Sequence, residues 1–186
     1  MSDKTSDLRY QKSAEAMRAA YLELALEKGS TDISVSELAR RANVNRMTFY
    51  SHYETVDDVL REYIAGVAQS ILEACSMDGG FDIERFFKAS NEAMYSEIEF
   101  FRMVAKDDRC AACRPVFRNA FYEIIHADLE ATTQMLGSEL QLMSDMLASS
   151  ITYAYLHWLS GKYGDLSLES MVDVSKRLFE AAIGDK

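Results

Sequence analysis

The segment SVSELARRANVNRMTFYSHY, residues 34 to 53, decides the fold. Ser34 and Glu37 have the S-x-x-E spacing of a capping box, which predicts that a helix begins at Val35. This helix lasts about two turns before an Asn-Val-Asn interruption, and a second short helix follows. Two short helices joined by a tight turn are typical of a helix-turn-helix, because base edges in the major groove are reached by one or two turns of the second helix.

The turn and the seam between the two helices are also predicted by the sequence. Asn43 tolerates a left-handed backbone conformation better than most residues with a side chain. Asn45 is a favourable N-cap for a helix from about Arg46 to His52. The residues expected to form the buried seam are Leu38, Ala39, Val44, Phe49 and Tyr53.

The opposite face of the second helix carries side chains suited to nucleic acid. Arg46 can pair with guanine or with a phosphate, and the hydroxyl groups and the imidazole N–H can donate to phosphate oxygens. Met47 or the methyl group of Thr48 can meet a thymine methyl group. Ser34 and Ser36, at a helix N-terminus, can help to hold another phosphate. The residues that we expect to contact DNA are Ser34, Ser36, Asn45, Arg46, Met47, Thr48, Tyr50, Ser51 and His52.

Apolar residues recur with helical spacing along the rest of the chain, and no alternating strand pattern of useful length is present. The first helix is expected over about residues 6–28, and the fourth begins near Thr55 and continues to a break at Gly79 and Gly80, with Asp82 as the next cap. Further helical segments are expected near residues 86–104, 117–128, 143–158 and 168–182. We therefore predict an all-α fold, with an N-terminal three-helix helix-turn-helix domain joined to a C-terminal helical bundle.

The composition restricts the class of protein. The net charge of −10 lies entirely beyond residue 55, because the first 55 residues hold eight cationic and eight acidic side chains. A neutral head therefore precedes an acidic body, which indicates two functional parts. No apolar run approaches the roughly 20 residues of a membrane helix, and no secretory signal is visible. Three cysteines are too few for a disulfide scaffold, so we expect a cytoplasmic protein with no membrane partner.

Residues 13–72 resemble the N-terminal domain of the TetR (tetracycline-repressor) family of bacterial transcriptional regulators. The resemblance is carried by the segments ISVSELARRANV and NRMTFYSHY and by the apolar helix that follows. Two departures are Asn43, where the family usually has glycine, and the lack of a lysine at the start of the fourth helix. The resemblance implies a DNA-binding domain over residues 1–54 and an effector-binding and dimerisation domain over residues 55–186. It also implies a homodimer, held by the last two helices, that binds near-palindromic double-stranded operator DNA, generally as a repressor, and releases it when a small-molecule effector binds.

Aromatic residues and methionine in the body could line an effector pocket or belong to the core, because aromatic residues at helical spacing are usually buried. The candidate pocket residues are Phe101, Met103, Phe117, Phe121, Tyr155 and Trp158. The identity of the effector and the sequence of the operator are not predicted by any motif.

Three alternatives remain open. Cys110 and Cys113 have a C-x-x-C spacing and could make the protein a redox-responsive regulator, although they lack the strand–helix setting of a thioredoxin motif. A helical enzyme is disfavoured because no phosphate-binding loop, nucleophile elbow or paired carboxylates are present. An adaptor without a DNA partner is the third alternative. We predict no catalytic residue, no cofactor and no metal site.

Overall fold

The computed structural model describes residues 3–75 and 83–183, apart from the side chains of residues 3–7, 83, 109, 112, 113 and 183. Within these ranges the chain forms helices and no strand. The α-helices are α1 (Asp3–Lys28), α2 (Val35–Arg41), α3 (Arg46–Tyr50), α4 (Val56–Cys75), α5 (Ile83–Ser96), α6 (Ile98–Lys106), α7 (Arg114–Thr132), α8 (Gly137–Leu159) and α9 (Leu168–Ile183). A short 3₁₀ helix, Asp108–Cys113, precedes α7. The predicted all-α class is confirmed.

Two compact units divide the chain at Ile64 and Ala65, inside α4. The sequence placed a domain boundary ten residues earlier, between 54 and 55, because Thr55 begins a new helix. The first turns of α4 instead belong to the N-terminal unit, because Val59, Leu60 and Ile64 are buried. The functional boundary between a DNA-binding part and a regulatory part remains a prediction.

The N-terminal unit is held together by the apolar face of α1. Its buried residues have the predicted helical spacing and include Met17, Tyr21 and Leu24. Leu38 of α2 and Phe49 of α3 are fully buried beside them. Burying each of these large apolar side chains contributes about 1.5–3 kcal/mol to folding, so tertiary packing rather than length stabilises the two short helices.

The turn between α2 and α3 has the conformation that the sequence predicted. Asn43 has a φ of 53°. The amide of Val44 donates to the carbonyl oxygen of Ala39 at 2.9 Å and closes the turn. Four of the five predicted seam residues are buried, and Val44 is half-buried because it lies within the turn. Asn43 thus adopts the left-handed conformation at a position where glycine, which has no side chain, would adopt it without strain.

The C-terminal unit consists of the rest of α4 and of α5 to α9. Its core is rich in phenylalanine, and Phe86 packs edge-on against Phe87 and Phe121 with ring centroids 5.1 and 5.2 Å apart. The helical segment expected from residue 86 to residue 104 is two helices, because Glu97 leaves the helical conformation (φ −134°, ψ 40°). α8 begins at Gly137, earlier than the apolar pattern indicated, since its first turn is polar.

Some sequence predictions lie outside the described residues, namely the break at Gly79 and Gly80 and the cap at Asp82. Among the described helices, none has both the length and the hydrophobicity needed to cross a membrane.

Candidate nucleic-acid interface and ligand cavity

One face of α3 is buried and the other is exposed to the solvent. Phe49 is fully buried, whereas Arg46, Met47 and Tyr50 are exposed, and Met47 has 84% of its surface accessible. An apolar side chain this exposed contributes little to folding, because the hydrophobic effect scales with the area removed from water. The outward face of α3 therefore presents a guanidinium group, a thioether and a phenol to the solvent.

Arg46 and Tyr50 lie one turn apart and contact each other. The guanidinium carbon of Arg46 lies 6.0 Å from the centroid of the Tyr50 ring, and Arg46 Nη2 approaches the phenolic oxygen at 3.5 Å. Both contacts are long, and the hydroxyl hydrogen of Tyr50 is not committed by them. The pair therefore offers several N–H donors and one O–H donor from a single turn of helix.

Asn45, Thr48 and Ser51 differ in what they have left to offer. Asn45 Oδ1 accepts the amide N–H of Thr48 at 2.7 Å, which caps α3 and leaves the two amide hydrogens of Asn45 outward. The hydroxyl of Ser51 donates to the carbonyl oxygen of Thr48 at 2.7 Å. Ser51 can consequently accept a hydrogen bond but has no donor for a phosphate.

Ser34 acts as a helix cap in this structure. Its amide N–H and its hydroxyl both donate to Glu37 Oε2, at 2.9 and 2.7 Å. These two bonds, with a further contribution from Lys28, lower the pKa of Glu37 to about 2. Ser34 therefore has no donor left for a phosphate, and an ionised carboxylate lies beside it. Ser36 is also exposed, and its hydroxyl makes no hydrogen bond with a described residue, so it is the serine of this pair with a donor left to offer.

The cations of the N-terminal unit fall into two groups. Arg41 is bound to Glu27 at 2.7 and 2.9 Å and to Glu23 at 3.2 Å. Arg40, next to it at the end of α2, is exposed and makes no ion pair with any described residue. The sequence analysis did not single out Arg40, because two adjacent arginines cannot be distinguished by composition. Their different positions around α2 determine which one meets the acidic side chains of α1.

His52 lies in the turn after α3, which ends two residues earlier than predicted. Its ring stacks on Tyr10 of α1 with centroids 3.7 Å apart and an interplanar angle of 25°. Its Nε2 atom lies 2.8 Å from Ser13 Oγ. Burial lowers the pKa of His52, and the carboxylate of Glu62 acts in the opposite direction. Only one ring nitrogen of His52, Nδ1, remains for another partner.

A small apolar cavity, with about 20 Å³ of free space, lies in the C-terminal unit. It is lined by Met94, Phe101, Val104, Phe117, Phe121, Thr152, Tyr155, Leu156 and Leu159. Four of the six predicted pocket residues are among them, and Met103 and Trp158 are not. The indole N–H of Trp158 donates to the carbonyl oxygen of Leu166 at 2.8 Å, and its ring packs edge-on against Tyr95, so it contributes to the connection after α8 instead.

Two residues that line the cavity, Thr152 and Tyr155, carry hydroxyl groups whose hydrogens are already used. The hydroxyl of Thr152 donates to the carbonyl oxygen of Ala148 at 2.7 Å. The phenol of Tyr155 donates to Asn91 Oδ1 at 2.8 Å, and burial raises its pKa, so it remains neutral. None of the described residues that line the cavity carries a charged side chain. No polar atom of these residues is exposed to the cavity, so the cavity offers an anion neither a hydrogen-bond donor nor a counter-ion.

Exposed apolar side chains form a stripe on each of the last two helices. On α8 they are Leu142, Met146 and Tyr153, and on α9 they are Val174 and Leu178. The intervals of four and seven residues place them on one side of each helix, opposite the buried residues. All five are at least 50% exposed. Apolar stripes of this kind mark surfaces that other proteins cover.

The described residues give little support to the other candidate chemistries, namely redox sensing and metal binding. Cys110 is buried in the 3₁₀ helix, and the side chain of Cys113 lies outside the described residues, so redox sensing by this pair stays a prediction. Among the described side chains, no three of the His, Cys, Asp and Glu type are close enough to hold a metal ion together.

Comparison with known proteins supports a regulator fold. No family model matches the chain. The HTH-type transcriptional regulator YxbF of Bacillus subtilis is 31% identical over 72 residues, which is 38% of this chain and only 19% of that protein. The match therefore concerns a segment of each protein, and the activity of the whole relative does not transfer from it.

Solved structures match over nearly the whole chain. A TetR-family transcriptional regulator from Syntrophomonas wolfei superposes with a TM-score of 0.71 at 16% identity, covering 94% of this chain and 96% of that one. A TetR regulator from Streptococcus agalactiae gives 0.68 at 20% identity, covering 95% and 98%. Thermus thermophilus FadR, a TetR-family repressor in complex with lauroyl-CoA, gives 0.64 at 20% identity, covering 93% and 96%. The chain thus has the fold of TetR-family transcriptional regulators, as the sequence resemblance predicted.

Proposed function

We propose that this protein is a TetR-like transcriptional regulator that binds near-palindromic operator DNA as a homodimer and releases it when a small molecule binds. The outward face of α3 carries the proposal. Arg46, Met47 and Tyr50 are exposed on a helix whose other face is fixed by Phe49, within a fold that TetR-family regulators share. Such a helix has the length and the chemistry to read base edges in a major groove.

Each exposed group has a distinct role in this proposal. Arg46 reads guanine or holds a phosphate, and Met47 meets a thymine methyl group. Tyr50 and Thr48 donate hydroxyl hydrogens to phosphate oxygens, and the amide of Asn45 donates to a base edge or a phosphate. Ser36 and Arg40 contact the sugar-phosphate backbone of the DNA. Ser34 and Ser51 support the helix ends rather than contribute donors to DNA.

Selection of bound duplexes from a random pool tests the proposal. We expect the full-length protein to enrich a near-palindromic sequence with half-sites about one helical turn apart, because a two-fold dimer presents two recognition helices. Fluorescence anisotropy with the enriched duplex should show binding that survives excess random-sequence competitor DNA. Absence of any enrichment, together with no binding to the random pool at low salt, would refute DNA binding.

The neighbouring arginines of α2 give a matched test of the phosphate contacts. We expect Arg40→Ala to weaken binding severalfold for all sequences and to reduce the slope of log K against log salt by about one for each head, because one phosphate contact is lost. Arg41→Ala removes the same charge, but its guanidinium is already bound to Glu23 and Glu27. It should leave the salt slope nearly unchanged and lower the melting temperature slightly. Equal slopes in the two variants would exclude Arg40 from the interface.

The cavity of the C-terminal unit is the proposed effector site. Its free space of about 20 Å³ is close to that of one water molecule, so an effector has to widen the cavity as it binds. An apolar effector is in keeping with Thermus thermophilus FadR, a protein of similar fold whose structure is in complex with lauroyl-CoA. Because no polar atom of the lining is exposed to the cavity, the preferred effector is uncharged and mainly apolar. A carboxylate would be desolvated there without a partner.

Octanol and octanoate are matched probes of this preference. We expect octanol, but not octanoate, to raise the melting temperature and to weaken binding to the enriched duplex. Val104→Phe, which fills the cavity, should abolish both effects of octanol while keeping the affinity for DNA. Val172→Phe is the control, because Val172 is equally buried but does not line the cavity, so it carries the same overpacking cost of about 1–3 kcal/mol. A response to octanol that survives in Val104→Phe would move the effector site elsewhere.

A further inference from the structure

The hydroxyl of Ser13 is the starting point for an inference about His52. Ser13 lies in the first half of α1, and its hydroxyl donates to the helix carbonyl oxygens of Arg9 and Tyr10, at 3.0 and 2.9 Å. A serine has only one hydroxyl hydrogen, and this local bond is the usual one for serine inside a helix. The oxygen of Ser13 is then an acceptor towards any other neighbour.

His52 is that neighbour, since its Nε2 atom lies 2.8 Å from Ser13 Oγ. An acceptor oxygen requires a hydrogen on Nε2. In a neutral imidazole the other nitrogen, Nδ1, then carries a lone pair and no hydrogen. The stacking of the ring on Tyr10, 3.7 Å away, holds the imidazole in this orientation.

We propose that Ser13 fixes His52 as the Nε2–H tautomer, so that His52 can donate to a DNA phosphate only after Nδ1 takes up a proton. The inference rests on the proposed DNA-binding function and adds that DNA binding is coupled to the uptake of a proton. When the phosphate is bound, one proton moves from the solvent to Nδ1 of His52 in each protomer. Ser13 and Tyr10 are positioning residues in this scheme, and His52 makes the contact.

The charged groups around His52 set the direction of the effect. From α4, the carboxylate of Glu62 favours the imidazolium, but Glu62 is paired with Arg18 of α1 at 2.6 Å. Tyr53 is neutral, because burial raises its pKa, and Tyr10 presents the face of its ring. Burial lowers the pKa of His52 below its ordinary value of about 6.5, so the free protein is neutral at this site at pH 7.

A phosphate beside Nδ1 acts in the opposite direction, because an opposite charge favours the ionised form. The pKa of His52 is therefore higher in the complex than in the free protein. Protons are taken up on binding at any pH between these two values. Affinity for DNA should accordingly increase as the pH falls through this window, by up to about tenfold per pH unit for each head that takes up a full proton.

Two measurements test the inference, and the first needs no DNA. The ¹⁵N chemical shifts of His52 in the full-length protein at pH 8, assigned with a His52→Asn variant, should show the Nε2–H tautomer. In Ser13→Ala the Nε2 partner is absent, and a mixture with the Nδ1–H tautomer should appear. A predominant Nδ1–H tautomer in the unsubstituted protein overturns the inference, whether or not the protein binds DNA.

The second measurement is the affinity for the enriched duplex between pH 8 and pH 5.5. We expect the affinity of the unsubstituted protein to rise as the pH falls, and the rise to be clearly smaller in Ser13→Ala. His52→Asn places an N–H donor near the position of Nδ1 at every pH, so its profile should be the flattest of the three. His126 and His157 are present in all three proteins, so the differences report on His52. Parallel profiles overturn the inference, whereas absence of binding at any pH refutes the proposed function instead.

Discussion

Replacing Arg46 and Tyr50 together by alanine should reduce the affinity for the enriched duplex at least about a hundredfold. Both side chains are exposed on α3, and Tyr50 touches the buried seam only through an edge-on contact with Phe49 (ring centroids 5.3 Å apart), so most of the loss should fall on binding and not on folding. A specific arginine contact contributes about 1–3 kcal/mol, and a homodimer loses it at both half-sites. The melting temperature should stay within a few degrees of that of the unsubstituted protein.

The double variant also separates reading of sequence from attraction to the backbone. If Arg46 reads a base, the single variant Arg46→Ala should relax the preference at one position of each half-site in a repeated selection. Arg102→Ala is the control for lost charge, because Arg102 is an exposed arginine of the C-terminal unit that is paired with Glu99 at 3.2 Å. Unchanged affinity in Arg46→Ala/Tyr50→Ala would show that α3 is not the recognition helix.

The local signals in residues 34–53 were sufficient to predict the two short helices. The capping box of Ser34 and Glu37 is formed in the structure, and Asn43 has the positive φ that the turn requires. These features depend on interactions within three or four residues, which a sequence displays directly. The predicted end of α3 lies two residues too late, because the position of His52 depends on stacking against Tyr10, which is distant in sequence.

Contacts between distant segments limited the prediction of the candidate site. The sequence does not show that Arg41 is bound to Glu23 and Glu27 while Arg40 is exposed, because this depends on how α2 lies on α1. Trp158 is another example, since an aromatic residue on the last turn of α8 could face the cavity or the following loop. The carbonyl oxygen of Leu166 decides this by binding the indole N–H.

The charge distribution along the chain determines how strongly the protein can attract DNA. The net charge of −10 lies beyond residue 55, and four of the eight described cationic side chains of the N-terminal unit are held in ion pairs. The protein therefore has a small electrostatic attraction for DNA, and non-specific binding should be weak. In the proposed dimer, operator binding would then depend strongly on two heads engaging at once, because tethering the second contact raises the effective affinity of the first.

Breaking the proposed dimer should consequently abolish the proposed operator binding without any change in α3. Met146 on α8 and Leu178 on α9 are 58% and 50% exposed, so Met146→Lys/Leu178→Lys should leave each protomer folded. In a two-fold dimer through these helices, each lysine would be buried without a partner, and burial of an unpaired charge opposes association strongly. We expect sedimentation velocity to show a monomer, and the affinity for the enriched duplex to fall at least about a hundredfold.

The choice of lysine makes this result decisive. The substitutions add positive charge, which by itself strengthens attraction to DNA, so a loss of affinity has to come from the loss of the dimer. Leu26→Lys, at an exposed apolar position of α1, is the control for the added charge and should remain a dimer with unimpaired binding. If Met146→Lys/Leu178→Lys stayed dimeric, the protomers would have to associate through a surface other than the stripes of α8 and α9. If it became monomeric but still bound the full palindrome with the original affinity, a single head would suffice, and release by an effector could not act through the spacing of two heads.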